Sequence, residues 1–529
     1  MNIYRFLLVS LNIEAILQES TVYRRREQLS KITDGLGLGD AYCTTIERIK
    51  AQGGGKSRLG IAALMWISHA ERPLTAGELC HALAVELGSK DFNASNVPSI
   101  STVVSCCQGL IRLDKEVLVV RLIHFTLKEY LSTHRDIFSN PHAVMAEICL
   151  TYLNSNQVKT LSPYPSSNSR ETTFLEYCSL YWGVHAKKEL SHHTKSLALE
   201  LFRENGGPGH QSTALLLDIA LGWDNWYFGA YFSFNGLHCT SFFGIVEVVA
   251  ALIEMEHSDL NGGDFRGYTP LSWAACNGHE EVVRILLGQA AIDPDKPGND
   301  NRTPLLRAAC GGHVEVVKLL LGQEDVNPDK PDWLGRTPLS YAAREGHEGV
   351  VRMLLGREEV NPNKPDDSGR TPLSYAAREG REGLVKILLQ REDVHPDKPD
   401  NHGSTPLSLA AECGREDVVK TLLGSAEVDP ESLDHDGETP LACAAVGGSE
   451  GVVRILLGQE GVDPDKPNYA GQTPLSIAAQ GGFEGVVQIL LEQKEVNPNQ
   501  ADNDGQTPLQ YAAQHRHHGV IELLQHYER

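Results

Sequence analysis

The sequence predicts a mainly α protein: a solenoid of repeated helix pairs, preceded by a small domain of three helices and a hairpin and by a helical connector. Three observations carry this. Thr-Pro-Leu recurs at Thr269, Thr303, Thr337, Thr371, Thr405, Thr439, Thr473 and Thr507, a fixed period of 34 residues. Each copy holds two short amphipathic helix patterns; one such pair cannot bury its apolar face alone, so neighbours must stack into a continuous core. Ahead of the repeats, helical patterns are interrupted by Val117 to Ile123, whose alternating branched residues read as a β-hairpin.

One copy justifies the elements in order. In the unit from Asp332, Thr337 caps a helix through its hydroxyl, and Pro338 takes the first helical position, where its missing N–H is not needed. Leu339 faces the core, and Ala342-Ala343 keep the helix thin enough for a neighbour to pack closely. Gly346 ends it in the left-handed conformation. Val350, Val351, Leu354 and Leu355 form the apolar stripe of a second helix, closed by Gly356. The following Asn-Pro-Asn-Lys-Pro from Asn361 cannot continue a helix and forms a loop or finger.

These residues resemble the ankyrin repeat, whose usual period is 33 and whose turn-plus-two-helix plan matches the reading above. Eight clear copies run from Asp264 to the C-terminus. A degenerate ninth precedes them: Leu237, Gly244, Val248, Val249, Leu252 and Ile253 stand 34 residues before Leu271, Gly278, Val282, Val283, Leu286 and Leu287. Two departures are visible. Most copies carry Ser, as at Ser340 and Ser374, where the family usually has His, so the usual Thr–His hydrogen bond is expected to be absent. The fingers hold one extra residue in Pro-Asp-Lys-Pro runs at Pro294, Pro328 and Pro396, for which stiff, extended fingers are expected.

In the N-terminal half, Ile61–Trp66 reads as one helix, Pro73 to about Leu87 as a second with Thr75 and Glu78 at capping-box spacing, and Ser99–Leu110 as a third. With the hairpin these make a winged helix, followed by an amphipathic helix from His124. The stretches Trp66–Leu74, Leu122–Leu131, Phe174–Cys178 and Tyr181–Ala186 resemble the winged-helix region and connector of fungal NACHT–ankyrin proteins, NLR-like signal-transducing NTPases. Together the readings divide the chain into 1–58, a remnant tail of a NACHT-type module with a hinge; 59–153, winged helix; 154–233, helical connector; and 234–529, about nine ankyrin repeats. The resemblance implies a non-enzymatic cytoplasmic scaffold for protein–protein interaction, the sensing part of an innate-immunity or heterokaryon-incompatibility protein. The alternative is the regulatory portion of a NACHT NTPase switch whose nucleotide-binding module is missing from this chain.

Composition narrows the partner. The chain has 529 residues, 41% of them hydrophobic, and a net charge of −22. From Asn261 onward 43 acidic residues face 25 basic ones, so the repeats carry −18 of that charge. Such an array repels phosphate backbones, which excludes nucleic acid as its main partner and points to a protein with a basic surface; the charge also keeps a long repeat soluble. Neither a membrane nor a small-molecule substrate is expected. The apolar run Phe6–Leu11 is too short to span a bilayer and poorly flanked for a signal peptide. Eleven scattered cysteines without a Cys-x-x-Cys read as small buried residues of a reducing compartment.

Four motifs weaken on inspection. Gly53-Gly54-Gly55-Lys56-Ser57 lacks the first P-loop glycine, since Lys50 stands there, and Thr44–Arg48 before it is no apolar strand; a flexible hinge is expected. Gly447-Gly448-Ser449-Glu450-Gly451 matches a hydrolase elbow, but it follows a helix instead of a strand. His124 sits where the resembled family has a histidine that contacts nucleotide phosphate, and with no phosphate loop a structural role is expected. His279, His313 and His347 recur at the inter-helix turn as hydrogen bonders, with nothing to place them in one coordination sphere. No catalytic, cofactor-binding or metal-binding residue is therefore assigned, and no cofactor is expected. Protein binding is assigned by register to the fingers and the exposed face of the first helices: Tyr268, Trp333, Arg336, Arg344, Arg370, Tyr375, Arg378 and Tyr469. The competing reading packs the tyrosines between repeats and pairs the arginines with Glu345 and Glu379.

Overall fold

The computed structural model describes residues 21–26, 38–159, 173–203, 234–255 and 259–527. The chain divides into two compact units, Met1–Asp259 and Leu260–Arg529. The Phe6–Leu11 run lies outside the described residues.

The first unit begins with α1 (Leu38–Ala51) and α2 (Gly54–His69), which pack on each other. Gly53 and Gly54, at φ 70° and 53°, make the reversal between them. Residues 54–57 are already the first turn of α2, so the glycine run expected as a flexible hinge is instead a tight helix–helix link. Three features then give the winged-helix order. α3 (Ala76–Ala82) starts at Thr75, whose hydroxyl accepts from Glu78 N–H while the Glu78 carboxylate accepts from Thr75 N–H, the expected capping box. α4 (Ile100–Cys106) is shorter than its sequence pattern because Cys107 and Gln108 turn away, Gln108 at φ 46°. Strands β1 (Ile111–Asp114) and β2 (Val119–Leu122) pair antiparallel, Ile111 with Leu122. Leu74 and Thr75 add a third edge, since Val120 N–H donates to Leu74 O at 3.0 Å and Ala76 N–H to Leu118 O at 2.8 Å.

After α5 (Phe125–Thr133) come α6 (Pro141–Leu153), the short α7 (Asn156–Lys159), α8 (Leu175–Lys188) and α9 (His192–Arg203). Trp66, fully buried, meets Phe174 and Tyr177 edge-on at 5.6 and 5.8 Å, which locks α2 to α8. α10 (Gly236–Phe243) and α11 (Val246–Ile253) are the helices of the degenerate repeat. They pack on α8 and α9, with the Phe243 ring lying over Gly183, where a side chain would leave no room.

The second unit is eight stacked helix pairs, from α12 and α13 (Pro270–Cys276, Glu280–Leu287) to α26 and α27 (Pro508–His515, His518–Tyr527). Every first helix is capped by its threonine, as Thr337 Oγ1 accepts from Ser340 N–H at 3.2 Å. Such a cap contributes about 1 kcal/mol. The serine in the position usual for histidine keeps the pairing: Thr371 and Ser374 hydroxyls lie 3.0 Å apart, and Thr371 N–H donates to Ser374 Oγ. A hydroxyl–hydroxyl bond thus stands where the side-chain bond was expected to be absent. Gly346 closes its helix at φ 96°. In the last copy Arg516 takes that left-handed position, at φ 61°. Leu339, Ala342, Ala343, Val350, Val351 and Leu354 are fully buried, as the register requires.

Candidate protein-binding surface

The hairpin that precedes seven of the eight Thr-Pro-Leu copies is built by one acidic or amide side chain; Gly298 stands there in the copy of Thr303. Asp332 Oδ1 accepts from Leu334 N–H and Arg336 N–H at 3.0 and 2.9 Å, closing a loop that Gly335 completes at φ 76°. Asp264, Asp366, Asp400, Asp434, Asn468 and Asp502 do the same in their copies. Neighbouring hairpins join by one backbone bond per repeat, such as Trp333 N–H to Asp300 O at 3.2 Å and Tyr469 N–H to Asp436 O at 2.9 Å. At the tip position four of the eight copies carry Asn or Asp, and Asn299, Asn401 and Asn503 each donate a side-chain bond to the preceding hairpin. Trp333 and Tyr469 replace that amide, four periods apart in the same register. Their rings are each 68% exposed.

The structure separates the eight residues assigned from sequence. Trp333, Tyr469 and Arg378 are exposed. Tyr268 and Tyr375 are buried, against the expectation that they face solvent. The Tyr268 hydroxyl donates to Asp300 at 2.6 Å, and the Arg307 guanidinium lies 3.3 Å over its ring. Tyr375 donates to Asp366, and burial followed by that carboxylate pushes its phenol up to about 12. A tyrosine nine residues after the hairpin aspartate, as Tyr375 is after Asp366, reaches back to the oxygen the backbone leaves free, which turns that ring inward; Tyr268 is instead held by Asp300 and Arg307 of the next copy. Arg336 pairs with Asp332 at 3.2 Å, Arg370 with Asp400 at 3.3 Å, and Arg344 with Glu345 at 3.2 Å. These three are half-buried and neutralised within the array.

A second ladder, which sequence reasoning passed over, runs through the fingers. Lys330 donates to the backbone and carboxylate of Asp295 at 3.1 and 2.9 Å; Lys364 bonds Asp329, and Lys466 bonds Glu431. Lys296 and Lys398 reach the carbonyls of Asn261 and Asn363. The fingers are therefore not extended runs: Pro294-Asp295 is a turn, held by Asp295 N–H on Asp293 Oδ1 and stitched to its neighbour by lysine. The signal in the sequence is Lys recurring at the 34-residue period. Oδ1 of Asp295, Asp329, Asp397 and Asp465 is buried without a hydrogen-bond partner. Burial raises all four carboxyls above the usual aspartate range.

The weak motifs resolve as structure. His313 Nε2 and His347 Nε2 lie 2.9 and 3.0 Å from the carbonyls of Cys276 and Cys310 in the preceding repeat, while Arg381 and Arg415 donate to the same position in theirs. Ser449 begins the second helix of its pair after Gly448 has capped the first. His124 caps α5, its ring accepting from Thr126 N–H. A helix, α1, precedes the Gly53 run, so the strand–loop–helix of a phosphate loop does not form there. All eleven cysteines are free thiols. Among the described residues no helix is long and apolar enough to cross a membrane.

The family model for ankyrin repeats (3 copies) matches in six overlapping placements that together cover residues 215–529, more than half of the chain. The chain is an ankyrin-repeat protein. Ankyrin repeats are interaction modules, which makes the array a scaffold for binding proteins. Residues 46–142 match the model described as GPI inositol-deacylase, winged helix domain, and they run from the second half of α1 through α5 to the first residues of α6. The match begins inside α1, ahead of the boundary read at residue 59. No curated protein matches the chain at a significant level.

Proposed function

We propose that the ankyrin array is a non-enzymatic scaffold that grips a protein with a basic surface along its hairpin tips, with Trp333 as the main anchor. The observation that carries this is the pair Trp333 and Tyr469: two large aromatic rings, each 68% exposed, at the tip position where Asn299, Asn401 and Asn503 use an amide to bind the neighbouring hairpin. Aromatic and arginine side chains are the usual energetic centres of interfaces, and Arg378 is exposed in the following repeat. The excess of acidic residues in the array favours a basic partner and a fast, salt-sensitive encounter. In this reading the protein is cytoplasmic and forms the sensing part of a fungal NLR-like protein.

The test is capture on immobilised full chain, with partners compared between wild type, Trp333→Ala and Tyr469→Ala. A partner held by wild type, released by raised salt and lost from Trp333→Ala supports the proposal. Partners retained equally by all three chains refute it. The winged-helix match favours a second reading, the regulatory portion of a NACHT NTPase switch; a transcript extending upstream into a Walker A sequence is the observation that would support it.

A further inference from the structure

In the first unit three imidazoles and two carboxylates converge where α2, α6 and α8 meet. The His142 and His185 rings stack at 5.1 Å with their Nδ1 atoms 2.8 Å apart. Glu71, in the link after α2, places Oε1 3.8 Å from His185 Nδ1. His69 meets His142 edge-on at 5.5 Å. We propose that Glu71, His142 and His185 form a site for a divalent transition-metal ion of the zinc class.

The donor set and its spacing argue for this. Two imidazole nitrogens and one carboxylate oxygen suit zinc, with a fourth position open. Around a tetrahedral ion with bonds near 2.0–2.1 Å, donor atoms lie roughly 3.3 Å apart. The observed separations of 2.8 and 3.8 Å fall on either side of that value. The three donor atoms all lie within 4.8 Å of one another, so side-chain rotations alone bring them into register.

The supporting hydrogen bonds are those a metal ligand needs. His185 is fully buried, and its far nitrogen, Nε2, lies 2.9 Å from the Tyr177 hydroxyl. With the proton on Nε2, donated to Tyr177, the His185 Nδ1 lone pair points at His142, the outer-shell arrangement that fixes a ligand's tautomer. His142 then carries its proton on Nδ1, shared across the 2.8 Å contact. An ion replaces that proton, and His142 needs only to move it to Nε2, so both rings bind as neutral imidazoles. Lys188 holds Glu71 Oε1 at 2.6 Å and competes for it, but a carboxylate oxygen has two lone pairs and can face the ammonium and the ion together. His142 also lines a pocket of about 500 Å³ with His69, Glu189 and Arg135, which supplies an entry path. No local motif marks the site, because its ligands are separated by tens of residues in the chain.

The experiment titrates full-length protein, first stripped by chelation, with Zn2+ by calorimetry and with Co2+ as the visible reporter. The expected result is one equivalent bound with a Kd at or below about 1 μM, and at least about tenfold weaker binding in both His142→Gln and Glu71→Gln. Both substitutions lie toward the pocket and solvent side and leave buried His185 in place; unchanged circular dichroism confirms that they fold. Absence of binding tighter than about 100 μM overturns the proposal. So does an unchanged affinity in His142→Gln, which would place the ion on other histidines such as His515, His517 and His518.

Discussion

Two stretches of the array, residues 298–381 and residues 400–483, share one backbone plan and differ in what joins neighbouring copies. In the first, Arg302 donates to the Tyr341 hydroxyl of the next repeat at 2.6 Å, and the Arg302 and Arg336 guanidinium groups lie 5.0 and 4.9 Å from that ring. Lys330 and Lys364 tie the fingers together. In the second, Ser404, Glu438 and Gln472 stand in the arginine register, Leu409, Cys443 and Ile477 in the tyrosine register, and Ser432 where a finger lysine is due. Burial and the Asp434 carboxylate raise Glu438, a sign of acidic crowding in place of pairing. Yet the threonine cap and the alanine-lined stack are the same, and so is the Asx-closed hairpin except at Gly298. The common part is the fold; the polar mosaic decides how neighbours recognise each other and what the surface presents. Since part-exposed ion pairs are worth about 0–1 kcal/mol each, the apolar stack must supply most of the stability in both stretches.

The largest expected effect tests that equality. Leu373→Ala and Leu441→Ala each remove a side chain that is 1% exposed or less, and each should cost about 2–5 kcal/mol by urea titration. If the polar ladder carried the first stretch, Leu373→Ala would be markedly cheaper than Leu441→Ala, and a loss below about 0.5 kcal/mol would remove Leu373 from the core altogether.

Next in size is the ladder itself. Tyr341→Phe deletes a hydroxyl that donates to buried Asp332 at 2.9 Å and accepts from Arg302. Leaving those partners short of a bond should cost about 1–3 kcal/mol. An unchanged denaturation midpoint would mean that this network orients the repeats without stabilising them.

A gain is expected in the second stretch. Asp465 has a buried, unpartnered Oδ1, and Gln500 stands where a lysine would answer it. Asn261 and Asn363, in the same register, instead donate to the carbonyls of Ala291 and Asp393 thirty residues on. Asp465→Asn should make the matching bond to Glu495 O and stabilise the array by about 1 kcal/mol at pH 7. The sign with pH follows from the raised carboxyl of Asp465. Its folded form holds a proton above the ordinary value of about 3.9, so the site destabilises least in acid, and stability falls as pH rises through the raised value. The gain from Asp465→Asn should therefore be larger at pH 7 than below the ordinary value; the reverse order would refute the burial argument.

Much of this was legible in the sequence because the period repeats each signal eight times. Thr337, Pro338 and Gly346 announced the caps, and Leu339, Val350 and Leu354 the core. The inward turn of Tyr268 and Tyr375 was not legible. Their register is surface-like, and only the hydrogen bonds to Asp300 and Asp366, formed across the hairpin or between repeats, pull the rings in. Periodicity places a residue on a face, but a polar tip can choose a buried partner over water. In the first unit nothing repeats, so Thr75 and Glu78, a local pair, could be read, whereas the meeting of Glu71, His142 and His185 depends on tertiary packing alone.

The smallest effect on the fold belongs to the residues that matter most for binding. Trp333 and Tyr469 project from hairpins whose backbones are already bonded to the preceding copies, so Trp333→Ala and Tyr469→Ala should each change stability by no more than about 0.5 kcal/mol. Arg378 is exposed, and its backbone carbonyl accepts from Arg415 of the next copy. Removing its side chain should be equally neutral. With a partner in hand, Trp333→Ala and Arg378→Ala should each weaken binding by at least about 1 kcal/mol, because aromatic and arginine anchors dominate interfaces. Tyr469→Ala isolates the difference between the two stretches. If the arginine-and-tyrosine-braced repeats hold the hot spot, its loss is smaller than that of Trp333→Ala; an equal loss would spread the interface over both stretches. Full affinity in both the Trp333 and the Arg378 variants would move the partner off the hairpin tips of residues 298–381 altogether.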